Sequence, residues 1–311
     1  MDQRKIVVEG ALMVALFIAV LLMTLFIPLL SVFLIWFLAF PFIIFGRRYH
    51  LRANGVAGAT ALLLSFILTG LIGFIVALFF VASGVAIGEI YKRHQGGFPV
   101  LIGAGLTFTT ALVLSFVAST LIAGVDPMTT IKESMLNQID FIESTLGSLA
   151  NEAVSEQMMQ VAEFIVYLGP VILVTTAVAF AVITVGFSQL ILRRLGLEVT
   201  KIPPFREWKF PRAFFWYYFI VLILSFFSFE EGTTMFLVVT NLFLILGFVM
   251  MVQGFSLIFY YFHVVHRTKV WPFIILIVCI LFSPLLELVR ILGIVDLGFE
   301  IRAWIDNKKK K

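Results

Sequence analysis

Long apolar runs alternate with short charged stretches along this chain, and the first run sets the pattern. Residues 6–45 contain one charged side chain, Glu9. A membrane-spanning helix needs about 20 apolar residues, so the run is long enough for two crossings, and Pro28 interrupts it near its middle. Basic residues flank the run on both sides: Arg4, Lys5, Arg47, Arg48 and Arg52. Because basic flanks stay in the cytoplasm, the pattern predicts a helical hairpin with both ends there.

The next two apolar runs predict three further crossings. Residues 53–90 carry Gly70 and Gly73 near their centre, which predicts two short spans joined by a tight turn. Gly84 and Gly88 form a small-residue face that lets another helix approach closely. Residues 98–123 predict a fifth span rich in hydroxyl side chains. Those hydroxyls serve either helix packing or the lining of a small-ligand site.

Residues 125–163 form the one long stretch outside the apolar runs, with seven acidic residues and one basic residue. Asp126 followed by Pro127 predicts a helix start, with the aspartate as N-cap. Apolar residues then recur at intervals of three and four, which predicts an amphipathic helix. Gly147 or Asn151 is expected to interrupt it. By the count of crossings the segment is extracytoplasmic, where it packs over the bundle or against a partner.

After a sixth span at residues 164–192, the loop 195–212 is basic, aromatic and rich in proline. Three prolines make such a loop stiff. It is either an interfacial anchor or a docking site for a cytoplasmic partner. The candidate docking residues are Pro204, Phe205, Arg206, Trp208 and Pro211.

The C-terminal membrane region, residues 213–311, predicts two spans and then a broken apolar run. Ser283 and Pro284 divide that run, which predicts a bent pair of short crossings or a re-entrant element that returns the basic tail to the cytoplasm. Ionisable groups at membrane depth are costly and often functional. The candidate intramembrane polar cluster is Glu287, Arg290, Asp296 and Arg302.

Composition supports the same picture, since 61% of the residues are hydrophobic and 13% are charged. The chain is predicted to be an all-α polytopic membrane protein of about 8–10 spans in the cell membrane. It has a six-span core at residues 1–194, the loop at 195–212 and C-terminal helices at 213–311. The basic residues are spread over short loops, which does not indicate a nucleic-acid partner. No nucleophile elbow, nucleotide loop or metal motif occurs, so we expect no enzyme activity, no cofactor and no metal.

Two stretches resemble the YybS-like predicted membrane protein family of bacteria. They are residues 202–211, with the sequence IPPFREWKFP, and residues 292–302, with the sequence LGIVDLGFEIR. Members of that family look distantly similar to the substrate-binding S subunits of energy-coupling-factor transporters. Those subunits have a six-helix core and an A-x-x-x-A face on helix 1 that meets a transmembrane coupling subunit. Ala11 and Ala15 fit that face.

The resemblance implies one functional hypothesis, and the acidic helix and the basic, aromatic loop suggest a second. The first is an S-subunit-like protein that binds or transports a small molecule and has a membrane-protein partner or coupling subunit. The acidic segment and the helices after residue 213 are additional to the six-helix core of an S subunit. The second hypothesis is therefore a membrane scaffold or regulator that acts through envelope or cytoplasmic partners.

Overall fold

The secondary structure of the computed structural model is helical, with short connecting loops. The structure describes the following residues: 3–93, 97–122, 124–146, 152–199, 202–268, 270–299 and 301–309. Their helices, in chain order, are α1 (Gln3–Phe26), α2 (Pro28–Leu34), α3 (Phe40–Arg48), α4 (Leu51–Lys92), α5 (Gly97–Ile122), α6 (Pro127–Leu146), α7 (Glu152–Phe164), α8 (Gly169–Arg194), α9 (Ala213–Ser225), α10 (Thr234–Val264), α11 (Val270–Leu281), α12 (Ser283–Phe299) and α13 (Ile301–Lys309). The chain divides into two compact units, Met1–Ile202 and Pro203–Lys311. The division falls inside the predicted loop.

In the first unit, the opening hairpin forms as predicted. The helix breaks at Ile27, and Pro28 begins the next helix at its first position. Proline suits that position because it lacks the N–H that the helix start leaves unpaired. Arg48 Nη1 lies 3.3 Å from Glu9 Oε2, so the start of α1 and the end of α3 are at the same end of the hairpin.

The second apolar run also folds as predicted, because Gly70 divides α4. Its φ of 68° and ψ of −158° are non-helical, a conformation that glycine adopts without steric penalty. The two halves fold back on each other, since a Cβ atom added at Gly58 would lie 2.9 Å from Val81 Cγ1. Gly84 and Gly88 pack directly against the backbone of α3, as the small-residue face predicts.

Aromatic rings fill the interior of the first unit. The side chains of Trp36, Phe79, Phe108 and Phe180 come from four different helical elements. The ring centroid of Phe180 lies 4.7 Å from Trp36, 5.3 Å from Phe79 and 5.6 Å from Phe108. Rings at these separations pack as a dense apolar centre. This centre holds the hairpins together through side-chain packing.

The acidic segment begins as predicted. Asp126 Oδ1 accepts a hydrogen bond from the Met128 backbone N–H at 2.9 Å, which caps α6. Helices α6 and α7 follow, and Met128, Ile139 and Ala162 are buried. The predicted interruption at Gly147 or Asn151 lies outside the described residues.

In the second unit, α10 and α12 cross at very close range. A Cβ atom added at Gly254 would collide with the carbonyl of Val289, and one added at Gly293 would collide with the carbonyl of Met250. The chain breaks at Phe282, one residue before the predicted Ser283–Pro284 site, and α12 then returns alongside α11. Both helices line one side of a shared crevice, with Trp271 and Leu292 at one end. The reversal occurs where the sequence predicts a break, and it fits both predicted alternatives, a bent pair of short crossings and a re-entrant element.

Six helical segments are long and apolar enough to cross a membrane, as judged by length and composition. One of them is α4, which Gly70 divides in two, and another combines α2 with α3. Helices α9 and α11 are apolar but shorter. The described chain is therefore an all-α polytopic bundle, as the hydrophobic pattern predicts.

Candidate functional site

A buried polar network joins three helices of the second unit. Asp296 of α12 and Gln253 of α10 are fully buried, and Arg302 of α13 is 9% exposed. Arg302 Nε donates to Asp296 Oδ2 at 3.0 Å, and Gln253 Nε2 donates to the same oxygen. A buried carboxylate is tolerated only when it is paired and hydrogen-bonded. The other oxygen, Asp296 Oδ1, has no hydrogen-bond partner in the described part of the chain.

The same network fastens the proline-rich loop to the helices. Arg302 Nη1 donates to the carbonyl of Arg206 and Nη2 to the carbonyl of Trp208, each at 3.0 Å. The Phe210 backbone N–H donates to Gln253 Oε1 at 3.0 Å. Main-chain groups of a loop need such partners when they leave water. One guanidinium therefore neutralises Asp296 and satisfies two loop carbonyls.

Ser256 of α10 completes the attachment. Its hydroxyl oxygen lies 2.8 Å from the Phe205 carbonyl and 2.7 Å from the Trp208 carbonyl, and it accepts from Arg302 Nη2 at 3.0 Å. The Arg302 guanidinium also lies 5.3 Å from the ring centroid of Tyr260, within cation–π range. Residues 203–212 of the loop are thus part of the folded second unit, with their main chain held at Phe205, Arg206, Trp208 and Phe210.

The predicted docking residues divide between inner and outer positions. Phe205 packs edge-on against Phe259 with ring centroids 5.3 Å apart. Trp208 Nε1 donates to the Pro203 carbonyl at 3.0 Å. Pro204 and Pro211 are exposed, and Arg206 is half-buried. Pro204, Arg206 and Pro211 stay a predicted docking surface. Phe205 and Trp208 instead make contacts within the second unit.

The predicted polar cluster is two separate ion pairs, which corrects the single cluster expected from the sequence. Arg290 Nη1 lies 3.0 Å from Glu287 Oε2, three residues away on the same face of α12. Asp296 instead pairs with Arg302 across α12 and α13. Six residues separate Arg290 from Asp296, so the helical repeat turns their side chains to different directions. The Glu287 side chain is 59% exposed, while that of Asp296 is fully buried.

Ala11 and Ala15 both lie on an exposed face of α1. They line an open groove of 810 Å³ between α1 and the first half of α4. Val14 and Ile18, on the same side of the helix, line the floor of this groove and are buried in the first unit. The two alanines remain exposed at the mouth of this groove.

Three threonines of the hydroxyl-rich fifth span use their hydroxyls within their own helix. Thr107, Thr109 and Thr120 each bond to the carbonyl four residues earlier on their own helix, at 2.7, 2.9 and 3.1 Å. Such bonds satisfy a hydroxyl without a partner from another helix. The buried Ser115 Oγ has no hydrogen-bond partner in the described part of the chain, so helix packing and a ligand lining both stay predictions.

Sequence reasoning missed Gln253 and Ser256. Both lie in the 31-residue apolar helix α10 and are fully buried. They are three residues apart, which places them on one face of a helix. An amide inside a long apolar helix is itself a signal, because it needs a hydrogen-bond partner where water is absent. In the structure, the partners of this amide are Asp296 and the loop, which are far away in sequence.

The helices and the buried network define the class of this molecule as an integral membrane protein with a helical bundle. The family model described as "Predicted membrane protein (DUF2232)" matches residues 15–297, and the chain belongs to this family. It is also similar to "Uncharacterized protein YybS" of Bacillus subtilis (strain 168), with 29% identity over 306 residues that cover 97% of this chain and 99% of the relative. No solved structure matches the chain.

Proposed function

We propose that this protein is a non-catalytic membrane subunit that takes part in small-molecule binding or transport together with a second membrane protein. The observation that carries the proposal is the exposed alanine face of α1. Small side chains let helix backbones approach closely in a membrane, where packing rather than hydrophobic burial drives association. Ala11 and Ala15 offer this surface beside an open groove, and a helix of the partner is its occupant.

Affinity capture from native membranes tests the docking face. The Ala11→Leu/Ala15→Leu variant adds bulk to the groove, so we expect it to lose at least 90% of the captured partner. Ala179→Leu is the matched control. Ala179 is an exposed alanine of α8, and it does not line the groove between α1 and α4. Equal capture by the unmodified protein, the double variant and the control would rule out this face as the interface.

The identity of the partner separates transport from the second candidate function. An ATPase pair among the captured proteins supports transport, and a broad thermal-shift screen of vitamins and metabolites then seeks the ligand, since ligand binding raises stability. Envelope or signalling proteins support a scaffold or regulator instead.

The proposal includes an orientation in the cell membrane, with both termini in the cytoplasm and residues 125–163 outside. The basic flanks of the apolar runs support it. The native cysteine, Cys279, is buried and is removed by Cys279→Ala. An Asn137→Cys substitution then places a thiol on the exposed side of α6. We expect an impermeant maleimide to label it in intact cells. Labelling only after lysis would mean that the orientation is inverted.

A further inference from the structure

A pocket of 430 Å³ lies in the second unit, between the proline-rich loop, the end of α10 and the start of α11. Its wall is aromatic. Phe259 stands at right angles to two neighbours, Phe205 at a centroid distance of 5.3 Å and Phe273 at 5.1 Å. The volume is within the range of small-molecule sites, which are mostly apolar with a few polar groups. The wall suits an aromatic or aliphatic body.

The rim of this pocket is basic. Arg206, His263, His266 and Arg267 all line it. Glu207 Oε1 lies 3.7 Å from Arg206 Nη2, too far for a tight hydrogen bond. Guanidinium groups match the geometry of phosphate and carboxylate oxygens and bind them in a bidentate way. The rim therefore favours an anion.

The buried network holds one side of the pocket in place. Arg302 bonds the carbonyl of Arg206, and Ser256 bonds the carbonyl of Phe205, so the two loop residues that line the pocket are fixed at their backbones. A site whose walls are already ordered loses less entropy when a ligand binds. The Asp296–Arg302 pair thus positions the pocket without entering it.

His266 has a backbone conformation that favours glycine. Its φ is 54°, and it directly follows the C-cap of α10. The bonds from His266 N–H to the His263 carbonyl and from Arg267 N–H to the Phe262 carbonyl form a Schellman-type helix end. Glycine is usual at this position, and a side chain there is strained. Such strain is typical of positions that are kept for function, and here it places an imidazole on the rim.

We propose that this pocket binds an amphiphilic anion. A phosphate or carboxylate group lies against Arg206 and Arg267, and an apolar or aromatic body lies against Phe205, Phe259 and Phe273. The anion is either the headgroup region of an acidic phospholipid or a soluble organic phosphate. This inference does not depend on the docking face of α1, because every residue involved belongs to the second unit.

The test uses the full-length protein in nanodiscs of phosphatidylcholine. Two probes are titrated: 4-methylumbelliferyl phosphate as the soluble ligand, followed by fluorescence anisotropy, and pyrene-labelled phosphatidylglycerol, with labelled phosphatidylcholine as its neutral control. We expect saturable binding of one probe. Saturation by the soluble phosphate alone assigns a soluble ligand, and preference for phosphatidylglycerol alone assigns a lipid.

Three variants decide whether the pocket is responsible. Arg206→Gln/Arg267→Gln should weaken binding at least tenfold. The matched control Arg193→Gln/Arg194→Gln removes two exposed arginines at the end of α8 and should leave the affinity unchanged. His266→Gly should weaken binding while the melting temperature stays equal or rises, because glycine relieves the strained backbone.

The contrary results are equally specific. Absence of saturable binding by both probes would overturn the proposal. So would an equal loss of affinity in the control pair, which would indicate attraction to any positive surface. Inorganic phosphate that competes as well as 4-methylumbelliferyl phosphate would exclude a role for the aromatic wall. Normal binding by the His266→Gly protein would show that the imidazole is not part of the site.

Discussion

The two units of this protein stabilise their helices by different chemistry. The interior of the first unit is a set of tilted and edge-on aromatic rings, and glycines let α4 approach α3. The second unit also has a close glycine crossing, but it adds a polar network that links α10, α12, α13 and a loop far apart in sequence. Apolar packing adapts to substitution, whereas a buried network fails when one member is lost.

This difference separates two kinds of surface. The first unit keeps its alanine face outward, so its exposed groove is available to a partner helix. The second unit uses its polar residues to order a loop, and that loop forms the wall of a basic and aromatic pocket. Assembly is thus proposed for one unit and ligand binding for the other.

The largest effect is expected from Asp296→Leu. This change leaves the Arg302 guanidinium without its carboxylate at a buried position, and breaking such a pair costs about 3–5 kcal/mol. Unfolding of the purified protein in detergent measures the loss. Glu287→Leu is the control on the same helix, because its partner Arg290 is only 3.0 Å away but Glu287 is largely exposed. An equal loss of unfolding free energy in both variants would show that the buried network contributes no more than an exposed ion pair.

A second, smaller effect is expected from Gly293→Ala. The added methyl group collides with the Met250 carbonyl at the crossing of α10 and α12. Overpacking of this kind costs about 1–3 kcal/mol. Gly186→Ala is the control, because a Cβ there meets nothing within 4 Å. It should stabilise α8 by up to about 1 kcal/mol, since alanine favours helices. If Gly293→Ala left the free energy of unfolding unchanged, α10 and α12 would have to cross farther apart than the structure shows.

The smallest effect is expected from Arg48→Gln in the first unit. The Arg48 and Glu9 side chains are 33% and 21% exposed, and surface ion pairs contribute about 0–1 kcal/mol. The melting temperature should therefore change little, and less still in high salt. A loss as large as that of Asp296→Leu would contradict the contrast between the two units.

Local signals were enough to predict most helix boundaries. The Asp126–Pro127 start, the break at Pro28 and the non-helical Gly70 each depend on residues close together in sequence. The polar network was only partly predictable. Asp296 and Arg302 are visible as charges in an apolar region, but their pairing depends on how three helices and a loop pack. Periodicity does not specify that arrangement, and for the same reason Glu287 and Arg290 were wrongly grouped with them.

Site-specific cross-linking in native membranes tests the central proposal most directly. A photoreactive amino acid replaces Ala11 or Ala15 in turn, and Ala179 serves as the control position. The account predicts one discrete adduct with a second membrane protein from positions 11 and 15, and none from position 179. No adduct from either position of α1, or the same adducts from all three, would contradict the proposal that this face binds a partner helix.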